Sequence, residues 1–221
     1  MATSGEMTIL ARDPESRAAV PRSAAVHILR QPSPRAARGV NIFVLTSAAG
    51  LPGVAQFVRA ANQQHRLRAL FIREDIDARL LPQMLERAKL RVLRNTLVHS
   101  GTELPRRVLA AWQLGAQDQL IATAQVVGAR LRVVSCALKV FEIPFAFIPA
   151  LRHIPAEQRT AFTISSEGSY IHWPHLDIHL DLDAFRYATD PQQRARQQAL
   201  RLAADQRFGA AVAQLRKQRN L

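Results

Sequence analysis

Between residues 40 and 115, short apolar runs alternate with helical stripes of apolar residues. Residues 42–45 and 67–72 are mostly apolar, which predicts two buried strands, and residues 91–98 predict a third. Two stripes at the i, i+3, i+4, i+7 spacing of a helix face separate these runs: Val54, Phe57, Val58 and Ala61, then Leu81, Met84, Leu85 and Ala88. This β-α-β-α-β order predicts a small three-stranded parallel sheet. Thr102 and Gly115 then bound a third helix.

The pattern changes in residues 116–190, which predict a mixed α+β module. Residues 120–127 and 131–134 flank Gly128 as a hairpin, and residues 138–143 predict a third strand. From Leu176 to Asp183, apolar and polar residues alternate with period two, which is typical of a strand with one buried face. The last two of these residues are equally compatible with the beginning of a helix that runs to Tyr187 or Ala188.

The two ends of the chain lack such alternation. Residues 1–39 contain four scattered prolines among Ala, Ser and Arg, which predicts a disordered basic arm, although Val26 to Leu29 could add an edge strand. Residues 191–221 begin with Pro191 at a first helical position and predict a long basic C-terminal helix. The predicted fold class therefore combines α/β and α+β: a βαβαβα half (40–115), an α+β module (116–190) and a helical arm.

The most distinctive motif lies in residues 166–191. It consists of Tyr-Ile-His-Trp-Pro from Tyr170 to Pro174, the aspartates between Asp177 and Asp183, and an aromatic-rich turn closed by Asp190 and Pro191. This motif resembles the bacterial family catalogued as domain of unknown function 2442, and the resemblance covers about residues 115–191. It implies a small α/β module without established chemistry, often followed by a helix-turn-helix DNA reader of the phage-repressor type.

The C-terminal residues resemble the first helix of such a DNA reader. In that resemblance, Phe208, Val212 and Leu215 are core positions at i, i+4, i+7 spacing. The pattern is cut short at Leu221, where the second and recognition helices would begin, so the expected helix-turn-helix is incomplete. An incomplete reader cannot present base-reading side chains in the major groove. Either the sequence is a shortened form, or the protein has lost its reader and binds through charge or through a partner.

Composition limits the classes of protein that remain. The chain has 221 residues, of which 48% are hydrophobic, enough for a substantial core. A single cysteine, Cys136, excludes an intrachain disulfide and a thiolate metal cluster, and its apolar neighbours predict a buried, inert thiol. No apolar run approaches about eighteen residues, and the first residues lack the layout of a secretory signal, so a cytoplasmic protein is expected.

Charge is unevenly distributed along the chain. The formal net charge is +13; residues 1–39, 40–107 and 184–221 carry +3, +6 and +6, whereas residues 108–183 carry −2. Basic flanks around a mildly acidic module favour a polyanion partner, most simply DNA, although an arginine-rich composition alone could produce the same excess. The candidate phosphate contacts are Arg194, Arg196, Arg201, Arg207, Arg216, Lys217 and Arg219.

These observations predict a non-enzymatic, DNA-associated regulatory or accessory protein, such as a transcription regulator, that needs no cofactor. The alternative is a protein interaction module or assembly subunit that uses its C-terminal helix, either with another protein or as a homodimer. A third class is a small nucleotide-binding enzyme that uses Ser47, Gly50, Gly53 and Asp75 in the turn after the first predicted strand. That turn lacks the glycine-rich fingerprints of phosphate loops.

Two other chemical sites are weaker hypotheses. His172, His175, His179 and the nearby aspartates are metal-ligand types, but alternate residues of one strand step about 7 Å apart and form a line instead of a cage. A hydrolase triad of Ser166 or Ser169 with His172 and Asp177 lacks the strand-turn-helix elbow that presents a nucleophilic serine. We therefore expect no metal and no catalytic residue here.

Overall fold

A computed structural model describes residues 6–33, 36–75, 78–91 and 93–218. Within these residues, the first half is built on a five-stranded parallel sheet in the order β2-β1-β3-β4-β5. Its strands are β1 (Met7–Ala11), β2 (Val26–Leu29), β3 (Ile42–Ser47), β4 (Leu67–Arg73) and β5 (Thr96–His99). The mixed fold class and the parallel sheet predicted from the sequence are confirmed.

The N-terminal segment is part of this sheet, so the prediction of a disordered arm over residues 1–39 is wrong for its described residues. Strand β1 is buried along its whole length and lies between β2 and β3. Strand β2 is an edge strand, as the sequence allowed for Val26 to Leu29. The prolines that suggested disorder occupy connections, because Pro14 begins the short helix α1 (Pro14–Ala18). The sheet consequently has more strands than the three expected.

Helices cover both faces of the parallel sheet. Alternate strand residues such as Ile42 and Val44 face α2 (Ala55–Gln63) and α3 (Leu81–Arg87), which lie at the stripes predicted as helices. Phe43 and Leu45 face the opposite side, toward α4 (Glu103–Gln113) and the segment after α1. This order of strands, with helices on both faces, is that of flavodoxin-like doubly wound sheets, whose ligand crevice lies at the carboxyl ends of β1 and β3.

The second half contains two antiparallel sheets of three strands each in its described residues. The first sheet comprises β6 (Ile121–Val127), β7 (Arg130–Ser135) and β8 (Val140–Pro144), with Gly128 at a positive φ of 59° in the predicted hairpin turn. The second comprises β9 (Thr163–Ile164), β10 (Ile171–Trp173) and β11 (Ile178–Leu180), with β10 in the middle. Two helices follow, α5 (Leu182–Thr189) and α6 (Pro191–Gln218).

The alternating segment from Leu176 to Asp183 is not a single strand, which corrects the prediction made for it. Asp177 adopts a left-handed conformation with φ of 50°, so β11 begins only after it. The carboxylate of Asp181 accepts a hydrogen bond from the Ala184 backbone nitrogen at 3.0 Å and caps α5. The helix that the sequence allowed from Leu182 is therefore the one that forms.

Helix α4 joins the two halves of the molecule. The Arg107 side chain donates hydrogen bonds to the carbonyl oxygens of Ala122 (2.8 Å) and Ser166 (3.2 Å). The Trp112 indole nitrogen donates to the carbonyl oxygen of Cys136 at 2.9 Å. Cys136 is fully buried, and burial raises the pKa of its thiol to about 12, in agreement with an inert thiol. No helix within the described residues has both the length and the apolarity needed to cross a bilayer.

Candidate functional sites

Helix α6 is the largest feature of the described chain that the fold leaves largely uncovered. It is 28 residues long, and its main contacts with the rest of the chain are with α5. Large apolar side chains on it remain open to solvent: Leu200, Leu202, Phe208 and Leu215 are 55–73% exposed. A helix exposed over most of its surface gains little from tertiary packing, which normally supplies most of a helix's stability. Much of the side-chain surface of this helix is therefore accessible from outside the chain.

Three arginines of α6 are both exposed and free of carboxylate partners. Among the ion pairs of the described residues, none involves Arg196, Arg201 or Arg207. At about 100° per residue, Arg196 and Arg207 project within about 20° of each other, and Arg201 projects about 140° from Arg196. Arg216 and Lys217 lie within the helix, but their side chains are not described, and Arg219 lies outside the described residues.

Arg194 has a structural role at the start of the helix. Its guanidinium donates hydrogen bonds to the carbonyl oxygens of Tyr187 and Ala188, both at 3.3 Å, and lies 5.9 Å from the centroid of the Tyr187 ring. These carbonyl oxygens belong to the last turn of α5, where a cation is favoured. The Arg194 side chain thus holds α6 against α5, and this guanidinium is less available to bind a phosphate.

Many arginines of the first half are also committed to the fold. They donate to main-chain carbonyl oxygens or pair with carboxylates: Arg17 to Arg12, Arg59 to Ala88, Arg66 to Arg38, and Arg73 to Asp13 and Glu15. Part of the positive charge of residues 1–107 is thus held in hydrogen bonds and ion pairs within the fold. The three unpaired arginines of α6 are better placed for an external anion.

The same helix also carries an apolar face. Leu200, Ala204, Phe208, Ala211 and Leu215 all project within an arc of about 80°. All five side chains are exposed. Sequence analysis identified Phe208 and Leu215 as core positions of a further domain, but within the described residues they contact no such core. The helix thus has an exposed apolar face in addition to its exposed arginines.

The carboxyl edge of the parallel sheet brings together the residues considered for a nucleotide site. The Ser47 hydroxyl accepts a hydrogen bond from the Gly50 backbone nitrogen at 3.0 Å, and Asp75 accepts one from the Ala49 nitrogen at 3.1 Å. Gly53 lies against the Arg12 guanidinium. The Ser47 and Asp75 side chains, which were considered for a nucleotide site, are thus hydrogen-bonded to the backbone of the turn.

Asp13 stabilises the same edge. Burial raises the pKa of its carboxyl, but hydrogen bonds from the backbone and hydroxyl of Ser16 and the charge of Arg73 outweigh it and lower the pKa below its usual 3.8. A lowered folded-state pKa stabilises the fold above the unfolded-state pKa, and this stabilisation is lost as pH falls through the lowered value. The carboxylate form is therefore the stabilising one.

Asp13→Ala is expected to lower the free energy of unfolding by about 1–2 kcal/mol at neutral pH, because α1 loses its cap and Arg73 a partner. The difference from the unsubstituted chain should shrink as pH falls below the usual pKa of 3.8 and through the lowered folded-state pKa, because the carboxylate then becomes protonated in both states. Urea unfolding midpoints at several pH values measure this effect. A pH-independent difference would show that the charge of Asp13 contributes nothing.

A third cluster lies on the exposed face of the second antiparallel sheet. His172 on β10 lies directly opposite His179 on β11, and their rings stack with centroids 4.0 Å apart. The Asp177 carboxylate lies 3.4 Å from His179 Nε2. One potential ligand atom from each of these residues lies within 4.8 Å of the other two. The prediction that the ligand-type residues form a line along one strand is wrong, because it did not consider that His172 lies on the neighbouring strand, opposite His179.

The other residues named in the metal-site and hydrolase hypotheses do not belong to this cluster. His175 lies in the 3-10 turn between the two strands, Asp181 caps α5, and Asp183 pairs with Arg186 at 2.8 Å. The Ser169 hydroxyl bonds to the Ser165 hydroxyl at 2.9 Å instead of an imidazole. The signal that could have revealed the cluster is the apolar pair Ile171 and Trp173, which flanks His172 and makes this segment a strand.

The fold and these sites define a class of protein with a doubly wound α/β half, a small α+β module and a projecting basic helix. Over residues 139–189, the chain is similar to the family described as "Protein of unknown function (DUF2442)". The matched segment runs from β8 to the end of α5 and leaves out α6 and the whole first half. No curated protein and no solved structure matches the chain. The family resemblance is thus supported in the module, while the helix-turn-helix stays a prediction.

Proposed function

We propose that this protein is a non-enzymatic, cytoplasmic, DNA-associated regulatory or accessory protein that contacts phosphates through α6. The observation that carries the proposal is the set of exposed, unpaired arginines on this helix: Arg196, Arg201 and Arg207. Arginine binds phosphate well, and each neutralised phosphate releases condensed counterions, which favours binding at low salt. The doubly wound half and the module would serve to hold this helix.

The charge balance along α6 supports a polyanion as the partner. Between residues 191 and 218, the sequence has five arginines and one lysine against a single acid, Asp205. The module that precedes the helix is mildly acidic over residues 108–183, so it does not itself attract DNA. The helix is thus a local concentration of positive charge that a polyanion would find attractive.

Replacing Arg196, Arg201 and Arg207 together with glutamine is expected to weaken binding to duplex DNA by about tenfold to a hundredfold. The slope of log affinity against log salt should decrease by about 0.9 for each phosphate contact that is lost. Fluorescence anisotropy with a labelled duplex between about 50 and 200 mM salt measures both quantities. A truncation at Thr189 should have a larger effect of the same kind.

The matched control is the replacement of Arg22, Arg30 and Arg87 with glutamine. These side chains are also exposed, and the substitution removes the same charge from the first half. If both triple variants lose affinity equally, binding reflects overall charge and not α6. If neither loses affinity, the proposal is wrong.

The second candidate is a protein interaction module or assembly subunit, supported by the apolar face of α6. Phe208 is 73% exposed and Leu215 is 55% exposed on this face. A second copy of the chain is the simplest partner, and sedimentation velocity over a range of concentrations tests for it. A monomer at every concentration would argue against self-association, whereas a dimer that excludes DNA would favour this candidate over the first.

A further inference from the structure

We propose that His172, Asp177 and His179 bind one divalent transition-metal ion. Two imidazole nitrogens and a carboxylate oxygen are ligands that zinc, cobalt(II), nickel(II) and copper(II) accept. Magnesium and calcium prefer sets of oxygen ligands, which this cluster does not offer. The inference does not depend on DNA binding, because the cluster belongs to the module and not to α6.

The distances within the cluster are close to those of a metal site. Metal bonds of about 2.0–2.1 Å in a tetrahedral arrangement place neighbouring ligand atoms about 3.3 Å apart. The Asp177 carboxylate oxygen and His179 Nε2 are already 3.4 Å apart. All three ligand atoms lie within 4.8 Å of one another. The two imidazole rings are stacked with an interplanar angle of 23°, so binding requires the rings to rotate until a nitrogen lone pair of each points at the ion.

The backbone fixes the position of the two histidines. Antiparallel pairing sets Ile171 opposite Leu180 and Trp173 opposite Ile178, and Ile171, Trp173 and Leu180 are buried. A slip of one residue would expose these apolar side chains, so the register is strongly specified. His172 and His179 therefore face the opposite, solvent side as a direct cross-strand pair, with their Cβ atoms about 5 Å apart.

The left-handed conformation of Asp177 completes the set. Aspartate tolerates this conformation better than most residues, and here it reverses the chain between the 3-10 turn and β11. The reversal returns the carboxylate toward the ring of His179 on the strand that follows. Without the turn, Asp177 and His179 would be separated by a two-residue strand step of about 7 Å.

The three protein ligands do not fill the coordination sphere of the proposed ion. Three protein ligands leave at least one position of a tetrahedral ion for water or for a group from a partner. Asp177 and His179 are exposed and His172 is half-buried, so an ion can enter and leave without rearrangement of the fold. This arrangement suits a reversible, exchangeable site better than a permanent structural one.

The test uses the untagged full-length chain, because a polyhistidine tag would itself bind these metals. Isothermal titration with zinc, nickel or cobalt(II) is expected to give one ion per chain. His172→Gln and His179→Gln should each weaken binding at least tenfold, and cobalt(II) bound to the unsubstituted chain should show a visible absorption spectrum that both variants lose. His175→Gln is the matched control, since His175 is a nearby exposed histidine outside the cluster, and it should bind normally.

Two further readouts make the result decisive. Lowering the pH should weaken binding, because protons compete for the ligand atoms, and circular dichroism should show that the variants remain folded. The proposal is overturned if no one-to-one binding is found, or if His175→Gln weakens binding as much as the cluster variants. The triple arginine variant of α6 should bind the metal normally, so failure of the DNA proposal and failure of this one are distinguishable.

Discussion

Replacing Gly168 with alanine is expected to lower the free energy of unfolding by about 3 kcal/mol or more. Gly168 has φ of 83°, a conformation that side chains disfavour. An added Cβ would also overlap the carbonyl oxygen of Ile121 and lie 2.9 Å from Cδ of Arg107. Because the Ile121 nitrogen donates to the Gly168 carbonyl oxygen at 2.7 Å, the two backbones cannot separate without losing this bond.

Substitutions at two other glycines distinguish the two causes of this effect, the positive φ and the steric overlap of the added Cβ. Gly128 has a positive φ, but an added Cβ would meet no atom within 4 Å, so Gly128→Ala should cost only about 1–2 kcal/mol. Gly101 has neither constraint, and Gly101→Ala should stay within about 0.5 kcal/mol of the unsubstituted chain. Urea unfolding followed by tryptophan fluorescence measures all three. Equal effects at Gly168 and Gly128 would mean that the close approach to Ile121 is unimportant.

Trp173→Ala is expected to destabilise the module by about 3–5 kcal/mol. Trp173 is 1% exposed and packs against Phe162 with ring centroids 5.3 Å apart. Its indole nitrogen donates to the carbonyl oxygen of Arg159 at 3.3 Å, and the loss of this donor adds to the cost of the cavity. The residue also fixes the strand that carries His172, so its loss should loosen the proposed metal site.

The conservative variant Trp173→Phe tests how much of this effect comes from the cavity. Phenylalanine keeps most of the buried area and loses the indole hydrogen bond, so it should destabilise the chain by less than half as much as alanine. Thermal unfolding followed by circular dichroism compares the two variants. Similar losses for both would assign the stability to the hydrogen bond and not to packing.

Much of the fold followed from local patterns. The runs 42–45 and 67–72 gave β3 and β4 because a buried strand of a parallel sheet needs apolar residues on both faces. The stripe that ends at Ala61 gave α2, and Gly128 marked the β6 to β7 hairpin. For β3, β4 and α2, the sequence signal and the burial arise from the same side chains, whereas Gly128 signals its turn through backbone conformation.

Other elements depend on contacts that no local pattern contains. Strand β1 is only five residues long, and its position inside the sheet results from pairing with β2 and β3, which follow it in the chain. The strand expected from Leu176 onward was interrupted because Asp177 and Asp181 favour a turn and a helix cap. Short polar side chains that bond to the backbone competed successfully with the period-two pattern.

The candidate sites were predictable to different degrees. The basic helix was evident from composition, but the separate role of Arg194 required the position of α5. The cluster of His172 and His179 required the pairing of β10 with β11, because the two residues share a point only across the strands. Sites made by one element can be read from one segment, whereas sites made between elements depend on the fold.

The length of α6 has a consequence for how the proposed complex would move. A helix of 28 residues spans about 42 Å, and the same length of duplex carries about 25 phosphates. Arg196 and Arg207 project from one side and Arg201 from another, so in the proposed complex these arginines would contact phosphates and not base edges. Such a contact has no preferred base-pair register, and it would allow the protein to slide.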